Sequence, residues 1–348
     1  MTWQDEYRDS LRTPEDLEFF FGKKFPKLKS YSVLIPKTFA KKIKNKGPHG
    51  PLWRQFLPDL QEESSFQERG LIDPIGDQMN NKAPQLIHRY ENRALFTPTT
   101  ICPVLCRYCF RKNELGENLP LFKSKFTETL NYLRENPQIE EIIFTGGDPL
   151  ILSDQQLAFY FEEFSKIKGL KYLRLHTRTP IIIPSRITEG FINTIRQFQD
   201  KFNVISMAIH INHLDEIDLE VEKALLKCQD SGIMLLSQTV LLKGVNDSLS
   251  SLIDLFSRLV DFGIRPYYLH HPDKAKGAMH FYLNLEEGRK IYSQIRDKLP
   301  GWAIPRYIID IPGGEGKVNA FNPEGFHFSG NLINRKGKII KYLTESRQ

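Results

Sequence analysis

Residues 142–176 read IIFTGGDPLILSDQQLAFYFEEFSKIKGLKYLRLH. An apolar run over 142–145 ends in the turn residues Gly146-Gly147-Asp148-Pro149. Residues 154–166 then space their apolar side chains as a helix does, and 171–176 return to an apolar run. Strand, helix, strand in this order predicts two parallel strands joined by a helical crossover, because a tight hairpin cannot connect parallel neighbours.

The same unit repeats outward. Upstream, 94–98 reads as a strand and 126–135 as the helix that follows. Downstream, strands are expected over 204–210, 233–241 and 266–270, with helices over 189–199, 218–229 and 249–262. Six such units predict an α/β fold of the partial (βα)6 barrel type rather than an eight-fold barrel. Residues 1–90 are expected to form an N-terminal helical region, with Thr13 as a helix N-cap and Pro14 at the first helical position. Residues 91–300 hold the barrel. Residues 301–348 form a C-terminal segment in which a last strand, 303–310, runs into the loop Pro312-Gly-Gly-Glu-Gly-Lys317. Chemistry in such folds gathers at the carboxyl ends of the strands. Three cysteines follow the first strand, Gly146-Gly147-Asp148 the second and Asp273 the sixth.

The 348 residues are 40% hydrophobic and 26% charged, which fits a soluble globular chain. No apolar run approaches the length of about 18 residues that a membrane span needs. The start, MTWQDEYR, lacks a basic stretch leading into an apolar one, so no secretory leader is expected and the cytoplasm is the expected compartment. The net charge is +6, but apart from Lys41, Lys42, Lys44 and Lys46 the basic residues are interleaved with acids. That pattern suits a solvated surface, and no nucleic-acid partner is expected.

Of four cysteines, Cys228 stands alone and the others fall in Cys102-Pro-Val-Leu-Cys106-Arg-Tyr-Cys109. Clustering of this kind argues against a disulfide framework and for a metal in a reducing compartment. Structural zinc takes four protein ligands, commonly from paired knuckles, and no second pair exists. Thiolates at C-x3-C-x2-C spacing suit a 4Fe–4S cluster. Three thiolates on four irons leave one iron open to chelate the amino and carboxylate groups of S-adenosyl-L-methionine (SAM). An electron from such a cluster can cleave the sulfonium and release a 5′-deoxyadenosyl radical.

A second informative stretch is Asp310-Ile-Pro-Gly-Gly-Glu-Gly-Lys317. Glycines let the backbone approach a ligand closely, and a terminal lysine suits phosphate binding or Schiff-base formation. A phosphate-binding P-loop needs Ser or Thr after the lysine and then a helix. Val318 and Asn319-Ala-Phe-Asn-Pro oppose that, which leaves a Schiff-base lysine or a plain exposed turn.

The cysteine motif, with Tyr108 before its last cysteine and Thr145-Gly-Gly-Asp-Pro149 downstream, resembles the radical SAM superfamily. Within it, the chain resembles the lysine 2,3-aminomutase family. The likeness runs through Ile35-Pro-Lys-Thr-Phe, Asp73-Pro-Ile-Gly-Asp, His88-Arg-Tyr, Arg178-Thr-Pro, Gln238-Thr-Val-Leu-Leu-Lys-Gly-Val-Asn-Asp, Arg265-Pro-Tyr-Tyr and the glycine loop. The resemblance implies pyridoxal 5′-phosphate (PLP) on Lys317, with Arg89 and Arg93 near its phosphate. It puts Gly146, Gly147, Asp148 and Gln238 near SAM. Arg111 would take the substrate carboxylate, and Asp273 and Asp310 the ε-ammonium of lysine. The implied reaction moves the 2-amino group of L-lysine to C3, with a reducing electron donor as partner. A supply of β-lysine for elongation factor P, or another amino acid such as glutamate, are the alternatives. His270 stands where longer members carry tyrosine, and Asp310 differs from the glutamate expected in the short members that serve elongation factor P. The longer members' extra zinc-binding cysteines are absent, so a homo-oligomer is expected only without that tie.

Overall fold

The computed structural model describes residues 2–29, 31–113, 123–321, 331–333 and 339–341. The strands of its main sheet are β1 (Asn81–Ala83), β2 (Leu86–Tyr90), β3 (Arg93–Thr99), β4 (Glu141–Gly146) and β5 (Tyr172–Thr177). They continue as β6 (Val204–His210), β7 (Met234–Val240), β8 (Arg265–His270), β9 (Arg306–Ile311) and β10 (Gly316–Asn319). All ten lie in one sheet in chain order. Every neighbouring pair from β3 to β9 is parallel. The flanking pairs β1–β2, β2–β3 and β9–β10 are antiparallel. The crossovers carry α1 (Lys123–Glu135), α2 (Asp154–Ser165), α3 (Glu189–Gln197), α4 (Leu219–Asp230), α5 (Leu249–Asp261) and α6 (Leu285–Ile295).

Side-chain alternation along each strand explains which face goes where. Leu95, Ile143, His176, His210, Gln238 and His270 face a common cavity. Their chain neighbours Phe96, Phe144 and Leu175 are fully buried on the other face. There Phe96 has ring neighbours Phe126, Phe144, Tyr160 and Phe164, with centroids 5.1–5.6 Å away. Strands as far apart in the sheet as β2 and β10 line the same cavity, so the sheet curls into an open barrel. No ladder joins β1 to β10 among the described residues. The backbone N–H of Lys317 on β10 donates to the hydroxyl of Tyr90 at the end of β2 at 2.8 Å.

The parallel α/β barrel agrees with the sequence. Thr13 caps its helix as expected, accepting from the Asp16 N–H with Pro14 inside the first turn. The sheet, however, crosses both expected segment boundaries. β2, inside the N-terminal region, pairs with β3, and β9 joins β8 as a seventh parallel strand. The crossover before β9 is α6, whose central Gly288 weakens its helical signature. That glycine has a packing reason: a Cβ there would lie 1.9 Å from the Tyr307 hydroxyl on β9.

Truncating Phe96 to Ala should open a cavity between sheet and helices. We expect a stability loss of about 3–5 kcal/mol, seen as a lower urea midpoint without a new fold by circular dichroism.

Candidate active site

Cys102, Cys106 and Cys109 occupy the loop that leaves β3. A buried carboxylate fixes that loop. Glu62 accepts a fork from Arg107, Nε at 2.8 Å and NH2 at 2.7 Å, and a third bond from Lys112 Nζ at 2.9 Å. Arg107 NH1 also donates to the Ser32 carbonyl at 2.7 Å. The Tyr31 ring lies beside both cations, 4.5 Å from each. Arg107 and Glu62 are 1% and 2% exposed, so the ion pairs are shielded from water and salt.

The turn after β4 closes against the same loop. A Cβ on Gly147 would sit 2.3 Å from the Ile101 carbonyl oxygen, so only glycine allows this approach. The Asp148 carboxylate accepts from the Thr177 hydroxyl at 2.7 Å and from the backbone N–H groups of Leu150, Arg178 and Thr179 at 2.7–3.0 Å. Its oxygens join the ends of β4 and β5. Burial pushes its pKa up, and these hydrogen bonds oppose the shift.

At the far side, Lys317 lies on strand β10 and not in a loop. Its direct cross-strand partner is Asp310 on β9, with Nζ 2.9 Å from Oδ1. Arg89 NH1 is 3.6 Å from the same oxygen, and His270 Nδ1 is 4.0 Å from Oδ2. Asp77 pairs with both Arg89 and Arg111. Arg93 lies over the Tyr90 ring at 3.8 Å, with NH1 bonded to the Asn92 side chain. Gln238 approaches His176 at 3.5 Å. Burial, aided by Asp310, pushes the Asp273 carboxyl up to about 7. Burial, aided by Lys317, pushes His270 down to about 4, so its imidazole is neutral near pH 7.

All thirteen side chains or glycines singled out from the sequence line one cavity of about 280 Å3. The sequence reading missed Asp77, Tyr90, His176, His210 and Arg178, which line it too. Their signal was available in part: His176 and His210 are polar residues at inward positions of otherwise apolar strands. Tyr108 donates to or accepts from His210 at 2.7 Å and stacks on it, which fixes the cysteine loop against β6.

The donor set fits an iron–sulfur cluster. Burial pushes all three thiols above their ordinary range, Cys109 to about 12, so they need a metal to hold them as thiolates. Among the described residues no three His, Cys, Asp or Glu side chains are gathered as a single ion would require. The fourth cysteine, Cys228, is fully buried in the packing of α4. The other end suits an anionic cofactor: Arg89 Nε is buried without a hydrogen-bond partner.

Residues 96–256 match the Radical SAM superfamily. The fold and the three-cysteine cavity therefore belong to an enzyme of the radical SAM class, with a 4Fe–4S cluster and SAM as its cofactors. Three relatives, each named L-lysine 2,3-aminomutase, align over nearly the full chain. The Haemophilus influenzae protein is 36% identical, covering 89% of both chains. That of Buchnera aphidicola is 34% identical over 91% of this chain and 92% of its own, and that of Escherichia coli 33% over 91% and 93%. The chain belongs to the L-lysine 2,3-aminomutase family and is an isomerase of the aminomutase type. No helix among the described residues is long and apolar enough to cross a membrane.

Replacing Glu62 by Ala would leave Arg107 and Lys112 buried without their counter-charge. The expected cost is about 3–5 kcal/mol. Urea unfolding of the metal-free protein measures it, and iron bound per chain should fall in parallel.

Proposed function

We propose that this chain converts L-lysine to β-lysine, with SAM at the three-cysteine cluster and PLP at Lys317. The observation that carries the reading is the single cavity shared by Cys102, Cys106, Cys109, Lys317, Asp273 and Asp310. PLP, when bound, would carry the migrating nitrogen while the radical derived from SAM removes and returns a hydrogen. Everything else is the work of side chains. Arg93, which lies over the Tyr90 ring and donates to the Asn92 side chain, and Arg89, with its orphaned Nε, would take the cofactor phosphate. Gly146 and Gly147 would offer backbone to the amino end of SAM, and Gln238 would line its side of the cavity.

Charge balance favours lysine. In the free site Asp77 faces Arg89 and Arg111, and Asp310 faces Lys317. Once the nitrogen of Lys317 is committed to a cofactor, its ammonium no longer offsets Asp310 and Asp273. A substrate ammonium at that end restores the balance, whereas a glutamate carboxylate would add a further buried anion. Arg111, held at its other side by Asp77, would orient the substrate carboxylate. A fixed carboxylate and a fixed ammonium together set which carbon faces the radical. The reaction also needs a one-electron donor, and the reduced thiols suit the cytoplasm.

Anaerobic, reduced protein given SAM, PLP and L-lysine should form β-lysine by mass spectrometry, and L-glutamate should stay unchanged. Absence of β-lysine with cluster and cofactors bound would overturn the reading. Lys317→Ala should lose both β-lysine formation and the borohydride-sensitive visible band of bound PLP, yet keep its iron.

The pH dependence follows from Asp273. Its carboxyl is protonated below about 7 in the free site, and a bound ammonium needs the carboxylate. KM for lysine should therefore fall as pH rises from about 6 to about 8, and Asp273→Asn should flatten that slope. The stability of the unliganded fold moves the other way. The folded state holds the proton more tightly than the unfolded chain, so stability falls as pH rises from the ordinary carboxyl range toward about 7.

A further inference from the structure

Arg178 follows β5 and is 5% exposed. Its backbone N–H is fixed by the Asp148 carboxylate at 2.7 Å, so the side chain leaves the sheet in a defined direction. NH1 donates to the Cys106 sulfur at 3.5 Å. NH2 donates to Glu216 Oε2 at 2.6 Å and to Gln55 Oε1 at 3.0 Å. The Phe56 and Tyr108 rings lie 4.8 and 5.6 Å from the guanidinium carbon. Glu216 is fully buried, and its other oxygen accepts from the backbone N–H groups of Asn212 and His213, both at 3.0 Å. Backbone donors on one oxygen and Arg178 on the other fix the Glu216 carboxylate beside the guanidinium.

We propose that Arg178 raises the reduction potential of the cluster held by Cys106, and that Glu216 limits how far. This rests on the three-thiolate cluster described above. Reduction adds one electron, supplied by an external one-electron reductant, and makes the cluster more negative by one charge. A cation and an N–H donor at a ligand sulfur stabilise that extra charge, so the reduced form gains more than the oxidised one. A carboxylate on the same guanidinium opposes the gain. Of the other cations near the loop, Arg107 and Lys112 pair with Glu62 and Arg111 pairs with Asp77, whereas Arg178 is the one with a bond to a cysteine sulfur among the described contacts. Arg178 thus acts on the electron-transfer step through the Cys106 sulfur, as a positioning residue.

The test is a redox titration of the reconstituted enzyme without SAM, followed by electron paramagnetic resonance. Glu216→Gln removes the opposing charge and should move the midpoint to more positive potential. The double variant Arg178→Met with Glu216→Gln removes both charges, so no buried ion is orphaned. Relative to Glu216→Gln, its midpoint should fall by at least a tenfold change in the ratio of reduced to oxidised cluster, 59 mV for one electron. A purely structural role would leave both midpoints at the wild-type value, and that result overturns the proposal. Should the double variant not hold its cluster, the sign of the Glu216→Gln shift decides: no positive shift refutes the role. Wild-type protein that binds iron in another form overturns the underlying cluster assignment instead, and iron and sulfide analysis before titration separates the two failures.

Discussion

The buried carboxylate of Glu62 is the contact on which the reactive end of the molecule depends. Two cations from the cysteine loop, Arg107 and Lys112, converge on it in a region shielded from solvent. Such an arrangement is costly to assemble and gives little net stability compared with apolar packing. What it gives is geometry. Arg107 lies between the second and third cysteines, so fixing its guanidinium fixes the spacing and direction of the thiols on either side. Iron then meets ligands already held in place. The N-terminal segment that supplies Glu62 and Tyr31 is for this reason part of the active site, although it contributes no ligand.

The opposite wall depends on a different constraint, the curl of an open sheet. Parallel strands alone would leave β2 and β10 at distant edges. The bond from the Lys317 N–H to Tyr90, with Asp310 set across the β9–β10 ladder, brings the lysine over the mouth of the barrel. Cluster ligands and lysine thus face each other from opposite ends of the chain. In the proposed reaction a radical made at the cysteine wall would reach a substrate held near Lys317 without leaving the cavity.

Much of this was legible in the sequence because its signals are local. Apolar runs of strand length, separated by helical spacing, give the parallel barrel, and close cysteine spacing gives the cluster. The hidden parts are those set by distant pairing. Lys317 looked like a loop residue because glycines precede it, yet antiparallel pairing with β9 makes its segment a strand. Helix α6 was masked by Gly288, whose missing side chain is required by Tyr307 and not by the helix. The part the Asp148 carboxylate plays in joining β4 to the backbone after β5 was hidden, because a linear reading cannot place that segment beside it. Asp77, at the end of a quoted motif, became meaningful only when Arg89 and Arg111 were seen to share it.

The vacancy at one iron is the feature from which the chemistry follows, and Mössbauer spectroscopy tests it most directly. In protein reconstituted with iron-57, one iron of each cluster should change its spectrum when SAM is added, while the other irons keep theirs. A spectrum in which no iron responds to SAM, or a protein that takes up no iron–sulfur cluster, would contradict coordination by Cys102, Cys106 and Cys109 alone.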